Sequence, residues 1–519
     1  MALLWFFLAL LPAQDSQLFD TYTNCARCHS SMRRPANAVN LPAISPLPVG
    51  QAALWRGSMM AHSSRDPYWK AKVRYEIAQT PAAAATIEDT CLRCHAPQQQ
   101  YERRSRNATL KLDELNDLGR EGVACTVCHQ ISPKALGTRA SFTGDFTINE
   151  DRHIYGPHAD PFAMPMDHMA GYTPREAPHI MESKLCATCH TVITPTLNVR
   201  GERTGEYVEQ APYLEWLRSS WADTGASCQS CHLPRLKNAG GNDVAQYIAH
   251  NPMGMFFPPT SPRRPFGLHT LAGANIPVLG MLKEMFPDEG PALDRTIAAT
   301  WEMARSAAGL RLMPVRDGNQ LRLAVQITNY AGHKLPTGFP SRRVWLHLKV
   351  SDGDGKVVFE SGAWDENGEI RGLAGISPHQ NEISNPAHTA IYETEAASED
   401  GQPTTVLLRA SKEIKDNRIL PRGYNPSKPL PDGVPEEATR PIGTADDPDF
   451  VPGSDTVHYR IPSPLGPLQV EAELLYQSIR PAFVRPLQAD RSQDEREFLS
   501  LYKRHSAPIR LTVASLRIE

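Results

Sequence analysis

The sequence predicts a mixed chain of two unlike halves: a loop-rich, mainly short-helix region followed by an all-β, immunoglobulin-like sandwich. Three observations carry that prediction. All ten cysteines lie in five copies of one Cys-x-x-Cys-His pattern that ends at His232. From Asp15 to about Pro291 there is little periodicity and much Pro, Gly and short polar turn sequence. Further on, apolar and polar residues alternate with the period of a strand that has one face buried. A chain of 519 residues is too long for one core, and length alone gives a prior of roughly two to four domains. The formal net charge is -3 and no polybasic run is interleaved with aromatics, which argues against nucleic acid as a partner.

The opening "MALLWFFLALLPAQDSQ" carries an apolar run from Ala2 to Leu11, too short to span a bilayer, followed by Pro12, Ala13 and Gln14. It reads as a secretory h-region, so residues 1–14 are expected to be a signal peptide cleaved near Ala13 or Gln14, although no Lys or Arg precedes the run. No later stretch reaches the ~20 apolar residues of a membrane helix. Cys25 is not placed as a lipidation cysteine. The expectation is an exported protein in the periplasm or outside the cell, with no integral membrane segment after cleavage.

The cysteines are used without remainder: Cys25, Cys28 and His29; Cys91, Cys94 and His95; Cys125, Cys128 and His129; Cys186, Cys189 and His190; Cys228, Cys231 and His232. Two cysteines three apart share one face of a helical turn, so both thiols reach the two vinyl groups of one haem and form thioethers. The next residue swings under the porphyrin, where its imidazole becomes the proximal iron ligand. A closed zinc site needs four ligands from two half-sites, and five identical units do not pair off. A disulfide framework gives the five histidines no role. The pattern therefore reads as five covalently bound haem c groups at residues 15–290, and attachment of that kind takes place outside the cytoplasm. Helix caps are expected at Asn24, Asp89 and Ser183, ahead of three of the motifs. The macrocycles supply the apolar mass, which lets the polypeptide wrap them as loops and short helices.

Seven further histidines lie in this region: His62, His153, His158, His168, His179, His250 and His269. Each iron has a sixth position to fill or to leave open for substrate. His62 in "WRGSMMAHSSRDPYW", His168 and His179 ahead of the fourth motif, and His269 in "FGLHTLAGANIPVLGML" sit in ligand-bearing contexts. His153 and His158 flank a Gly-Pro turn and His250 precedes Asn-Pro, so they rank lower. Met59, Met60, Met164, Met166, Met169, Met253 and Met255 share these neighbourhoods and compete as ligands.

Residues 291–312 read as a connecting helix: Leu293, Ile297 and Trp301 recur four apart and Gly309 closes the run. Residues 313–519 read as the sandwich. "LRLAVQITN" alternates Leu323, Val325 and Ile327. "RVWLHLKVSDGDGKVVFESG" alternates Val344, Leu346, Leu348 and Val350, then turns through Asp352 to Gly355 into a second strand. "VEAELLYQSI" and "PIRLTVASLRIE" supply further strands, and together they point to an immunoglobulin-like fold. His347 alternates onto the polar face of its strand. Residues 394–455 are expected to be a long irregular insert rich in Pro, Gly and acid. Its Asp446, Asp447, Asp449 and Asp455 offer the oxygen donors that calcium takes, while a solvated acidic loop is the plainer account.

The segments "SMMAHSSRDPYW", "EGVACTVCHQI", "YGPHADP", "SKLCATCH" and "SCQSCHLP", in this order, resemble exported multihaem c-type cytochromes with a cytochrome-c-nitrifier-like haem domain. Several members of that group carry a C-terminal β-domain with segments like "GHKLPTGFPSRRVWLHLKV" and "LLYQSIRPAFVRPL". The likeness covers most of the chain after the opening segment and implies multihaem architecture.

Five haems ask for five sixth ligands, and the favoured upstream set, His62, His168, His179 and His269, supplies four. In "GHKLPTG", Gly332 permits close backbone approach, and Pro336 and Gly338 mark a tight turn. His333 is therefore expected to be a distal ligand reaching from the β half, and the resemblance includes this segment. The expected function is an exported pentahaem c-type cytochrome. It passes electrons between redox protein partners, other multihaem cytochromes among them, through closely packed haems and without a catalytic residue. The alternative is a multihaem oxidoreductase acting on a small nitrogen or sulfur compound at one open-site haem. All five motifs end in His, so no motif carries the lysine ligand of the nitrite reductase type.

Overall fold

The computed structural model describes residues 18–30, 49–250, 261–462, 464 and 466–519. The expected signal peptide, Met253 and Met255 lie outside these residues. Among the described residues no helix is long and apolar enough to cross a membrane.

The first half consists of short helices joined by turns, with two two-stranded ladders. His153–Gly156 runs parallel to Thr173–Glu176, and Val192–Leu197 runs antiparallel to Arg203–Gln210. Its most regular helix, Pro67–Gln79, begins with Pro at its first position, where the missing N–H costs nothing. Asp66 caps it by accepting from Tyr68 N (2.8 Å) and Trp69 N (3.2 Å). Four of the Cys-x-x-Cys motifs lie on the helices Tyr22–His29, Ala84–His95, Cys125–Cys128 and Cys228–His232, and the fourth along the chain begins on Ser183–Ala187 and ends in the turn after it.

The three expected caps are corrected. The helix through the second motif starts at Ala84, so Asp89 lies inside it and pairs with Arg93 one turn on (2.9 Å). The first helix starts at Tyr22, and Asn24 inside it donates to Asp20 and to the Ala170 carbonyl. Ser183 Oγ accepts from Cys228 N (3.1 Å), joining the fourth motif to the fifth in place of capping its own helix.

The connecting helix spans Gly290–Ser306. It stops short of Gly309 because Ala308 already pairs with Asn329 in the strand Ala308–Asp317. That strand, Gln320–Asn329, Ser454–Pro462 and Glu382–Ile383 form a four-stranded sheet in this order. The second sheet has the order Pro403–Thr404, Ile391–Ala397, Arg343–Asp352, Leu468–Gln477, Ile509–Ile518. Lys412–Asp416 and Val357–Ser361 pair onto its second and third strands. The expected alternation holds: Leu321, Leu323, Val325 and Ile327 of one sheet share a core with Val344, Leu346, Leu348 and Val350 of the other. The hairpin turn is ordered by Asp352, whose Oδ1 accepts from Asp354 N and Lys356 N, and by Gly355 at φ +84°.

The stretch 394–455 is less irregular than its composition implies. It carries the strands Pro403–Thr404 and Lys412–Asp416 and the single turns Leu407–Arg409 and Glu436–Thr439. Buried Arg218, from the first half, anchors it by donating to the carbonyls of Lys428 (3.0 Å) and Glu436 (2.7 Å) and to Thr439 Oγ1 (2.9 Å). The largest core is also shared: Trp69, Ile87 and Leu92 pack in one cluster with Val406, Leu407, Leu408, Phe483 and Phe498.

Candidate metal centre

None of the ten cysteines is paired with another in a disulfide. Their helical turns converge: the thiols of Cys25 and Cys125 are neighbours, as are those of Cys94 and Cys189, and of Cys186 and Cys228. Cys128 in turn feels Cys189. The fourth motif thus adjoins the second, the third and the fifth, and the third adjoins the first.

Four of the five motif histidines are braced in the same way. Nδ1 of His29 donates to the Ile248 carbonyl (2.7 Å), His95 to Ser63 (2.8 Å), His129 to Tyr155 (2.7 Å) and His232 to Ala272 (2.7 Å). A carbonyl only accepts, so Nδ1 carries the proton and Nε2 keeps a bare lone pair. Burial lowers the pKa of His29 and His129, and takes His95, His190 and His269 down to about 4, so these rings are neutral at physiological pH. Trp69 fixes His95 further by stacking on it, with centroids 4.4 Å apart and planes at 5°.

Two motif histidines face a second imidazole. His129 and His269 have ring centroids 6.3 Å apart at 20°, and His232 and His333 are 6.5 Å apart at 16°. Ligands on opposite sides of one metal, each with a bond of about 2 Å and its ring centre roughly 1 Å further out, have centroids about 6 Å apart. Nδ1 of His269 and His333 donates to the carbonyls of Gly267 (3.0 Å) and Lys334 (2.9 Å), which leaves Nε2 free on these rings as well. Burial also lowers the pKa of His333. Paired thiols on one helical turn, bare Nε2 atoms and opposed rings all fit a covalently held haem.

The other histidines are placed differently. His62 and His179 are buried and donate from Nε2, to the carbonyls of Arg56 (3.1 Å) and Ile131 (2.8 Å), so each presents Nδ1 instead. Nδ1 of His62 is buried without a hydrogen-bond partner. His168 stands exposed, and its Nδ1 bonds the Met164 carbonyl of its own helix (3.0 Å). His250, ranked low by sequence, lies beside the first motif: its N–H donates to the Cys28 carbonyl (3.0 Å), and its Nε2 is buried without a partner. Among the described residues, no second imidazole faces His29, His95 or His190 in the way His269 and His333 face theirs. In the His333 loop, Gly338 is the glycine the backbone requires, with φ +82° and a Cβ that would meet Arg342 Nη1 at 2.7 Å. At Gly332 the nearest atom, in Trp216, would be at an ordinary 3.5 Å.

The acidic residues offered to calcium do not form an oxygen cage. Asp446 is exposed and Asp449 pairs with His458 (2.7 Å). Asp447 and Asp455 converge on His379 instead, Asp447 at 2.8 Å from its Nε2 and Asp455 at 3.9 Å. Asn417 Oδ1 accepts from Glu393 N, so its Nδ2 donates to His379 Nδ1 (3.0 Å). His379 Nε2 therefore carries the proton it gives Asp447, and a protonated nitrogen is no metal ligand.

Glu209 adjoins Cys91 and Cys94. It is buried, accepts from Gln210 Nε2 (3.0 Å), and feels Lys72, which is itself engaged by Glu76 at 2.6 Å. Burial raises Glu209 to about 7. A carboxyl raised on folding contributes fully below its usual pKa, and that contribution is lost as pH climbs through the folded value. Glu209→Gln is therefore expected to raise the melting temperature by a few degrees at pH 8, from at most roughly 3 kcal/mol, and to leave it unchanged near pH 4. Thermal unfolding followed by circular dichroism at both pH values checks this.

Residues 24–130, which hold the first three motifs, match the family model of cytochrome c554 and c-prime. The fold is similar to the crystal structure of a penta-heme cytochrome c552 from Thermochromatium tepidum, with TM-score 0.55 and 18% identity, covering 90% of this chain and 96% of that chain. No curated protein matches the chain. The partial family match and the fold likeness, standing beside the motif geometry, support a multihaem c-type cytochrome.

Proposed function

We propose that the protein is an exported pentahaem c-type cytochrome that carries electrons between redox protein partners. The cysteines of the five motifs hold the haems, with His29, His95, His129, His190 and His232 as proximal ligands. His269 and His333 complete two of the sites. Bound haem supplies a one-electron iron couple. The observation that carries the reading is the pair of opposed, near-parallel imidazoles, His129 with His269 and His232 with His333.

The chain's own part is to hold those rings neutral and fixed and to keep the five attachment points adjacent. Segments that present one ring also brace the next: His269 faces His129, and three residues on, the Ala272 carbonyl holds His232. The expected intact mass of protein purified from a host that matures c-type cytochromes corresponds to five haem additions on a chain starting near Gln14 or Asp15. A mass without haem, or with Met1 retained, overturns the haem count or the export reading respectively.

A second reading is supported by one observation. His29, His95 and His190 face no second imidazole among the described residues, an arrangement compatible with an open site and chemistry on a small nitrogen or sulfur compound. A count of high-spin haem by electron paramagnetic resonance separates the two: none fits a carrier, one or more fits an oxidoreductase.

A further inference from the structure

Four charged side chains are buried together behind the His333 loop. Glu215 comes from the helix Pro212–Leu217 in the first half of the chain, and Lys334, Asp416 and Arg418 come from the second. Glu215, Lys334 and Asp416 are wholly buried and Arg418 nearly so. Lys334 Nζ lies 2.5 Å from Asp416, and Arg418 meets the same carboxylate through Nε (2.8 Å) and Nη2 (2.7 Å). Arg418 Nη1 also lies 3.0 Å from Glu215 Oε1, an ion pair out of line for a hydrogen bond. The remaining oxygen of Glu215 is turned on the loop: it accepts from Lys334 N (3.0 Å) and Thr337 Oγ1 (2.5 Å).

Buried charges seldom stabilise a fold as well as apolar groups of the same volume, so four of them in one place call for another account. Here the charges balance, and the bonds go to specific atoms of one loop. Lys334 N is the backbone group immediately after His333, and the loop's other side is held by Asn329, which donates to the carbonyls of His333 (2.9 Å), Ile419 (3.0 Å) and Leu420 (3.2 Å). A bond of about 2 Å to a metal does not survive a displacement of half its length.

On the reading of His333 as a distal ligand, we propose that Glu215 is a positioning residue for the His232 and His333 pair. It touches neither ring, and it transmits the place of a helix in the haem-bearing half to an imidazole carried by the β half. The occupancy of the sixth position at that site then depends on a contact between the two halves and not on the loop alone.

The test uses the full, haem-loaded chain, reduced and titrated with carbon monoxide, which binds a ferrous haem whose sixth position is open. His333→Ala is expected to add one carbon-monoxide-binding haem per chain over the parent. Glu215→Ala is expected to add a fraction of that same haem, Glu215→Gln and Thr337→Val smaller fractions, and Glu215→Ala combined with His333→Ala nothing beyond His333→Ala. Glu473→Gln disrupts a buried carboxylate paired with His347 (3.0 Å) that makes no bond to the loop, and is expected to add none. The proposal is overturned if His333→Ala opens a haem while Glu215→Ala and Thr337→Val bind no more carbon monoxide than the parent. If His333→Ala itself opens none, the ligand reading fails and the proposal falls with it. Should neither Glu215 variant fold, Thr337→Val, which removes a single bond to that carboxylate, decides the matter.

Discussion

Replacing His333 by alanine is expected to turn one low-spin haem high-spin, and His269→Ala is expected to do the same at a different haem, with covalent attachment intact in both. Attachment depends on the cysteines, which neither variant touches. The two rings differ in the motif they face: His333 stands 6.5 Å from His232, and His269 stands 6.3 Å from His129. Alanine leaves nothing within bonding distance in their place, so each variant opens a single site and their effects add, since the sites share no ligand. Loss of a strong-field nitrogen changes the spin state outright, which makes this a gain of high-spin signal over that of the parent. His168→Ala is the comparison, because that ring is exposed and bonded within its own helix. Electron paramagnetic resonance and the Soret band of the oxidised proteins measure the outcome. If both variants keep the parent's spectra, the opposed rings are a packing feature and the ligands lie among His62, His179, His250 and the methionines.

The motif cysteines and histidines were legible because their chemistry is written in contiguous residues. A weaker sign, a count of ligands and the shape of a Gly and Pro loop, points to His333, whose ring the structure sets opposite that of His232. Gly338 has the positive φ and the crowded Cβ, a distinction that depends on the position of Arg342 and has no local sequence sign. The braces on Nδ1 were illegible altogether, since carbonyls of Ile248, Ser63, Tyr155 and Ala272 do that work and every residue has a carbonyl. Alternating apolar residues mark strands such as Gln320–Asn329 in the sequence itself. Ser454–Pro462, which pairs with it along nine positions, is masked in the sequence by the acid- and Pro-rich insert that precedes it. Glu215 gave no signal either, because its partners lie more than a hundred residues away.

Truncation after Gly309 is expected to abolish the folded haem-bearing half, not to liberate it. Composition divides the chain there, but the largest core does not: the helix Pro67–Gln79 and the second motif's helix pack against Leu407, Leu408, Phe483, Phe498 and Leu501, all supplied from beyond the cut. Each such side chain contributes roughly 1.5–3 kcal/mol by its burial. Five of them already match the ~5–15 kcal/mol by which a domain is stable. Polar groups lose their partners at the same time. Lys72 Nζ donates to the Thr405 carbonyl (2.7 Å), Glu76 accepts from Leu407 N (2.9 Å), and Arg218 bonds the carbonyls of Lys428 and Glu436, so removal of the second half leaves Arg218 without these partners and the Lys72–Glu76 pair (2.6 Å) without its backbone contacts. Covalent haems add apolar mass, yet the face of Pro67–Gln79 turned toward Phe498 is covered by side chains of the second half. The measurement is the yield of soluble, haem-loaded protein from a c-type-maturing host, with limited proteolysis of whatever is recovered. A protease-resistant fragment ending at Gly309 with the parent's haem content would show that the two halves fold independently. The His333 loop would then be a docked appendage of a self-sufficient cytochrome, and the shared core a consequence of docking instead of its cause.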